Sequence, residues 1–163
     1  MRDNGAMRVL LVALLAAVLA SSASASRSLV FTAKTKQGPT VAHPHPPAGG
    51  VGDSYDSSLS LANAGIPQLG RPAHAMVGTM QFTYTIRNQC TSFSPRCHAT
   101  ADFTTVTTLP GGTVKAAGRS ISIANPEIVI PVTGGTGRYK GAHGTVSISP
   151  TSEKLSTYRL RLP

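Results

Sequence analysis

The chain has 163 residues, 40% of them of hydrophobic type, with 15 Lys and Arg against six Asp and Glu and a formal net charge of +9. That length allows one domain with a real core and excludes two of ordinary size. The positive charges stand singly, with no run of five or six, so the surface is that of a basic domain suited to anionic surroundings, and no specific nucleic-acid partner is expected.

The first segment, "MRDNGAMR", is short and basic. It is followed by the apolar run "VLLVALLAAVLA" (9–20) and by "SSASAS" with small residues at Ala23 and Ala25. These are the three parts of a secretory signal peptide, and the apolar run is too short for a membrane span, which needs about 20 residues. Residues 1–25 are therefore expected to be removed, leaving 26–163 as a single secreted domain with no membrane span.

"SLVFTAK" (28–34) is a first strand, and the Pro/Gly/His-rich stretch 36–52 is expected to be a loop, because its four prolines cannot donate to a central ladder. His43 and His45 in "HPHPP" could ligate a metal but lack a third ligand, so no metal site is expected. In "DSYDSSLSLAN" (53–63), Tyr55, Ser57, Leu59 and Leu61 alternate with Asp56, Ser58 and Ser60. "AMVGTMQFTYTIRN" (75–88) is the clearest strand, with Met76, Met80, Phe82, Tyr84 and Ile86 on one side.

Cys90 and Cys97 follow, in a chain with no other cysteine. An exported protein meets an oxidising compartment, so a disulfide closing this small loop is expected. Zinc is the rival, but two cysteines and the adjacent His98 do not complete four ligands.

"HATADFTTVTTL" and "GTVKAAGRSISIA" flank "PGG" as a hairpin, "EIVIPV" (127–132) and "GTVSIS" (144–149) flank a glycine-rich stretch, and "KLSTYRLRL" (154–162) closes the chain. Eight short strands and no segment of helical period predict an all-β domain, a closed eight-stranded antiparallel β-barrel or a sandwich. A barrel of that size holds filled side chains or one small ligand.

The glycine-rich stretch "VTGGTGRYKGAHGTV" (132–146) invites a phosphate-loop reading that fails on its templates. Lys140 precedes Gly141 instead of following a glycine and leading a hydroxyl, and Gly135, Gly137 and Gly141 miss the dinucleotide spacing by one residue. A strand follows where a helix is needed, so Gly134, Gly135 and Gly137 are expected to build a turn.

The same stretch resembles the G-G-[TS]-G-x-[FY]-x-G-A-x-G signature shared by plant dirigent proteins and allene oxide cyclases. Supporting matches are Gly52–Asp53, "LPGGTVKAAG" (109–118), a cysteine before a hairpin and the final "YRLRL", together spanning about residues 51–162. The resemblance implies a calycin-like eight-stranded antiparallel barrel, often a homotrimer, whose internal pocket folds a reactive intermediate and needs no cofactor. It also places Tyr139 over the turn.

The departures bear on chemistry. Where dirigent proteins carry a catalytic aspartate, this chain has Val129, with Glu127 two residues earlier on the same strand face. His143 stands where the family has an arginine, and the first strand lacks the glutamate of allene oxide cyclases.

A cofactor-free cyclase requires an acid or base beside an apolar pocket and a donor for developing negative charge. The candidates are Glu127, His143, Asp53, Tyr84 and Asp102, with Arg119 and Tyr158 as further strand residues of suitable type. Each has a structural alternative: Asp53 as a turn cap, Asp102 facing solvent opposite a basic residue, Tyr84 as core, and His143 as an exposed turn residue. Glu127 and His143 are expected to face the cavity together. Two functions stand: a secreted, cofactor-free isomerase, cyclase or dirigent-type guide for a small hydrophobic or phenolic molecule, and a lipocalin-like barrel that binds without turnover.

Overall fold

The computed structural model describes residues 27–43, 50–89, 99–152 and 154–163, with the side chains of 39–43 excepted. The expected signal peptide, the Cys90–Cys97 bridge and His45 fall outside these residues.

Eight strands run in chain order: β1 Arg27–His43, β2 Ser54–Asn63, β3 Met76–Asn88, β4 Thr100–Leu109, β5 Gly112–Ser122, β6 Ile128–Gly135, β7 Gly144–Ser152 and β8 Leu155–Leu162. Each pairs with its sequence neighbours and β8 returns to β1, giving a closed antiparallel barrel. Closure removes free sheet edges wherever both neighbours pair, and it lets period-two alternation sort the strands into an inner and an outer row. Leu29, Phe31 and Ala33 of β1, Leu59 and Leu61 of β2, Ile130 and Val132 of β6, and Tyr158 and Leu160 of β8 all point into one core.

Antiparallel order gives the barrel two chemically different ends. The connections β2–β3, β4–β5 and β6–β7 lie at the first end; β1–β2, β3–β4, β5–β6 and β7–β8 lie at the second. The first end is plugged. Inner-facing Asn63 is fully buried and its amide donates to the carbonyls of Gln68, Arg71 and Pro72 at 3.0, 3.0 and 2.9 Å. The Gln68 side chain pairs with the backbone of Val30 through both its oxygen (2.9 Å) and its nitrogen (2.6 Å), as a strand residue would.

The glycine-rich stretch completes that end. Gly134 and Gly135 still belong to β6, paired with Lys115 and Val114, and a single 3-10 turn, Gly137–Tyr139, follows. Gly137 has φ 57° and packs so closely on the Gly111 carbonyl of the neighbouring hairpin that a Cβ has no room. Tyr139 is buried over the turn, with Arg138 stacked on its ring at 5.6 Å. The stretch is architectural, as the failed templates and the signature both implied.

Two strand expectations are corrected. β1 runs on to His43, through the segment expected to be loop. Its pairing with β8 stops at Lys34–Leu155, and a register shift between Gln37 and Thr40 accommodates Pro39, so the proline sits at an irregularity on a strand paired on one side only. Met76 does not share the inner row of Met80. A register shift at Leu61/Ala62, where Gly78 lies against the Thr108 carbonyl, turns Met76 outward and buries Val77 instead.

Candidate functional site

Toward the second end the interior is only partly filled: Ile86, Ala101 and Phe103 are buried there, but a cavity remains on the side where β1 meets β8. A cavity of about 690 Å³ is lined by Leu59, Met80, Phe82, Ile128 and Ile148, by the hydroxyls of Thr35, Ser57 and Ser156, by Gly38 and Pro150, and by Lys34, Lys36 and Lys154. That volume suits a drug-sized molecule. It exists because β1 leaves β8 after Lys34, while the Thr35 amide still donates to the Lys154 carbonyl at 3.1 Å and holds the two lips together.

The walls of β2, β3 and β4 carry an aromatic run that continues from the cavity toward the second end. Phe82 touches Tyr84 and Phe103 at centroid distances of 5.8 and 5.4 Å, and Tyr84 stacks on Tyr55 at 4.9 Å and 13°. Stacked and tilted pairs of this kind make a stiff, π-rich surface. Burial and the neighbouring Tyr55 raise the Tyr84 pKa, so its hydroxyl is a proton donor at neutral pH.

Deeper in the barrel, Thr107 and Tyr158 share a 2.7 Å hydrogen bond between buried hydroxyls, and the buried hydroxyl of Thr105 has no hydrogen-bond partner. Burial pushes the Tyr158 pKa up strongly. A folded-state pKa raised above the unfolded value contributes stability that is present below about pH 10 and is lost as the pH rises beyond it. Tyr158→Phe is accordingly expected to lower stability at pH 8 by about 1 kcal/mol through the stranded Thr107 hydroxyl, and to lose less than the parent between pH 9 and 11 in urea titrations; a parallel alkaline decline in both proteins contradicts it.

The structure separates the sequence candidates. Asp53 and Tyr84 lie on inner rows. Asp53, the first inner position before β2, is fully buried, with a carboxylate oxygen accepting from the Gly50 amide at 3.0 Å, and its backbone pairs with Ile86. It caps the turn and is also the one described carboxylate on an inner row.

Asp102 lies outside. Arg87 holds it at 2.8 Å, and the Ser120 amide donates to it at 2.9 Å across a β5 bulge where Ser120 has φ 50°. The hydrogen bonds from Ser120 and Arg87 lower its pKa, which suits a clamp. Arg119 is exposed beside it.

Glu127 and His143 do not meet. Ile128 pairs with Ile148 and Val132 with Gly144, so the two side chains belong to opposite ends of β6, roughly 20 Å apart at strand rise. Val129, on the strand face shared with Glu127, is 46% exposed, and His143 is an exposed turn residue whose ring reaches the Gly141 carbonyl at 3.5 Å. The expectation of a joint cavity pair is thus corrected: flanking one hairpin in sequence put them at its two ends.

The sequence reading missed the three lysines and the inner threonines. In "TADFTTVTTL" threonines occupy both faces, so alternation could not say which pointed inward. Among the described residues no three His, Cys, Asp or Glu gather as metal ligands, and no helix is long and apolar enough to cross a membrane.

No family model matches the chain, and no curated protein matches it. Solved structures do. It is similar to pyocyanin demethylase (TM-score 0.64, 20% identity, 84% of this chain and 100% of that chain). It is similar to the Diels Alderase AbmU from Streptomyces koyangensis (TM-score 0.62, 24% identity, 97% and 72%). It is also similar to the pterocarpan synthase dirigent protein GePTS1 (TM-score 0.60, 14% identity, 85% and 88%). At these identities the likeness is one of fold, and it bears out the dirigent-like eight-stranded barrel that the glycine signature implied.

Proposed function

We propose that this barrel takes up a small hydrophobic or phenolic molecule and holds it folded for cyclisation, isomerisation or coupling, without a cofactor. The cavity carries the reading: about 690 Å³, an apolar lining of five side chains, and an aromatic run leading toward the second end. Such a container accelerates and directs a reaction by fixing near-attack geometry, which is worth several kcal/mol before any proton moves. The barrels named above, a Diels Alderase and a pterocarpan synthase dirigent protein among them, support it by analogy of shape. Where a proton must be given, Tyr84, on the aromatic run that continues from Phe82, is the donor the structure offers, while buried Asp53 caps its turn outside the cavity lining.

A binding barrel without turnover is the second reading, favoured by one observation. Among the described residues the cavity lining itself contains no carboxylate and no imidazole. In either case we read the chain as exported after cleavage behind Ala25, with Cys90 and Cys97 bonded, and as a candidate trimer.

The experiment supplies phenoxyl radicals, made from a 4-hydroxycinnamyl alcohol by a one-electron oxidant, with and without the protein. Two radicals join by one new bond, and in free solution the product is racemic. An optically enriched or regiochemically shifted product is the expected result for a guide. A racemic, unshifted product, together with saturable binding of the neutral fluorophore N-phenyl-1-naphthylamine, leaves the binding barrel.

A further inference from the structure

We infer that the molecule held in the cavity is an amphipathic anion, with an apolar body seated on Leu59, Met80, Phe82 and Ile148 and an acidic group read by Lys34, Lys36 and Lys154. This rests on the reading of the cavity as a binding site.

Three observations carry it. First, the three lysines come from two different lips of one opening. Lys34 is the last β1 residue paired with β8, Lys36 falls at the register shift that follows, and Lys154 sits in the β7–β8 turn. The hydrogen bond from Thr35 to Lys154 fixes those lips side by side. Two separate segments thereby bring three exposed lysines to the lining of one opening; Lys34, which follows inner-facing Ala33, borders it from the outer row of β1.

Second, those charges are not matched by the described acidic groups. Asp56 accepts from Thr83 at 2.6 Å, Asp102 is held by Arg87, Asp53 caps the Gly50 turn, and Glu127 precedes β6; none of these carboxylates lines the cavity. No ion pair among the described residues engages any of the three lysines. Glu153, beside Lys154 in sequence, lies outside the described residues.

Third, the floor beneath the lysines is apolar. The opening carries an excess of positive charge that a neutral or cationic guest leaves uncompensated, whereas a carboxylate, sulfonate or acidic enol compensates it and gains charge-assisted hydrogen bonds. The stems of the lysines add apolar surface to the rim while their ammonium groups stay in water. An acid head at the rim and an apolar body inside is the arrangement that satisfies both.

The test compares two fluorophores that share one body, neutral N-phenyl-1-naphthylamine and its sulfonate, 1-anilinonaphthalene-8-sulfonate. Lys34→Gln, Lys36→Gln and Lys154→Gln together are expected to weaken the sulfonate by about tenfold or more, the sum of several exposed ion pairs, while the neutral probe binds as before. The sulfonate advantage should also shrink as salt rises from 0.01 to 0.5 M. Lysine-to-arginine replacements at the same three positions should retain it. Removing as many charges on the outer surface, with Arg119→Gln, Arg159→Gln and Arg161→Gln, should leave it unchanged; an equal loss there shows mere net-charge attraction and overturns the inference. Unchanged sulfonate affinity in the folded triple lysine variant, checked by circular dichroism, overturns it while the binding reading stands. Failure of the parent protein to bind either probe sinks both.

Discussion

Ser156→Trp is expected to abolish uptake of neutral guests while the protein stays folded. Ser156 lies half-buried on β8, between Ala33 of β1 and Pro150 of β7, and lines the cavity without filling it. An indole there brings about 200 Å² of aromatic surface into empty space beside Ile148 and Leu59. Because the space is already present, the cost of overpacking a filled core is avoided, and any stability change should stay within about 1 kcal/mol. Affinity for N-phenyl-1-naphthylamine should fall more than about 30-fold, on the order of 2 kcal/mol. If the probe binds the folded variant as it binds the parent, this cavity is not the site, and the reading of function built on it is withdrawn.

Asn63→Asp is expected to cost on the order of 4 kcal/mol, and Asn63→Ala about 3, through the three carbonyls at the plugged end. The amide donates to Gln68, Arg71 and Pro72 from a position with no solvent exposure. Alanine strands those acceptors; aspartate has the same shape but presents oxygen where a donor is required, and a buried charge without a partner is worse than a gap. Urea midpoints measure the loss. Hydrogen exchange places it, since the amides of Gln68, Arg71 and His74 depend on the 64–75 turn. An aspartate variant as stable as the parent contradicts the account. Leu69 and His74 hold positive φ at 54° and 62°, so the turn is kept in shape by these bonds against a local backbone preference.

Much of the fold was legible because it depends on local rules. The alternation Tyr55, Ser57, Leu59, Leu61 holds as the inner row of β2, and "PGG" and the glycine-rich stretch supply the turns their residues demand. The site was less so. Asp53 and Tyr84 were drawn as candidates and do face inward, whereas Asp102 proves to be a clamp for the β5 bulge and Glu127 and His143 part company along β6.

By itself the sequence determined eight strands in chain order, most of the turns between them and the failure of the nucleotide templates. These follow from period-two patterning and from glycine and proline stereochemistry, which act over a few neighbouring residues. Only the tertiary structure decided which end is plugged, where β1 parts from β8, and that Lys34, Lys36 and Lys154 share one rim. The reason is physical: register shifts at Thr35/Gln37 and Leu61/Ala62 each change which face a side chain takes, and a cavity is set by pairing between strands more than a hundred residues apart, which no local pattern encodes.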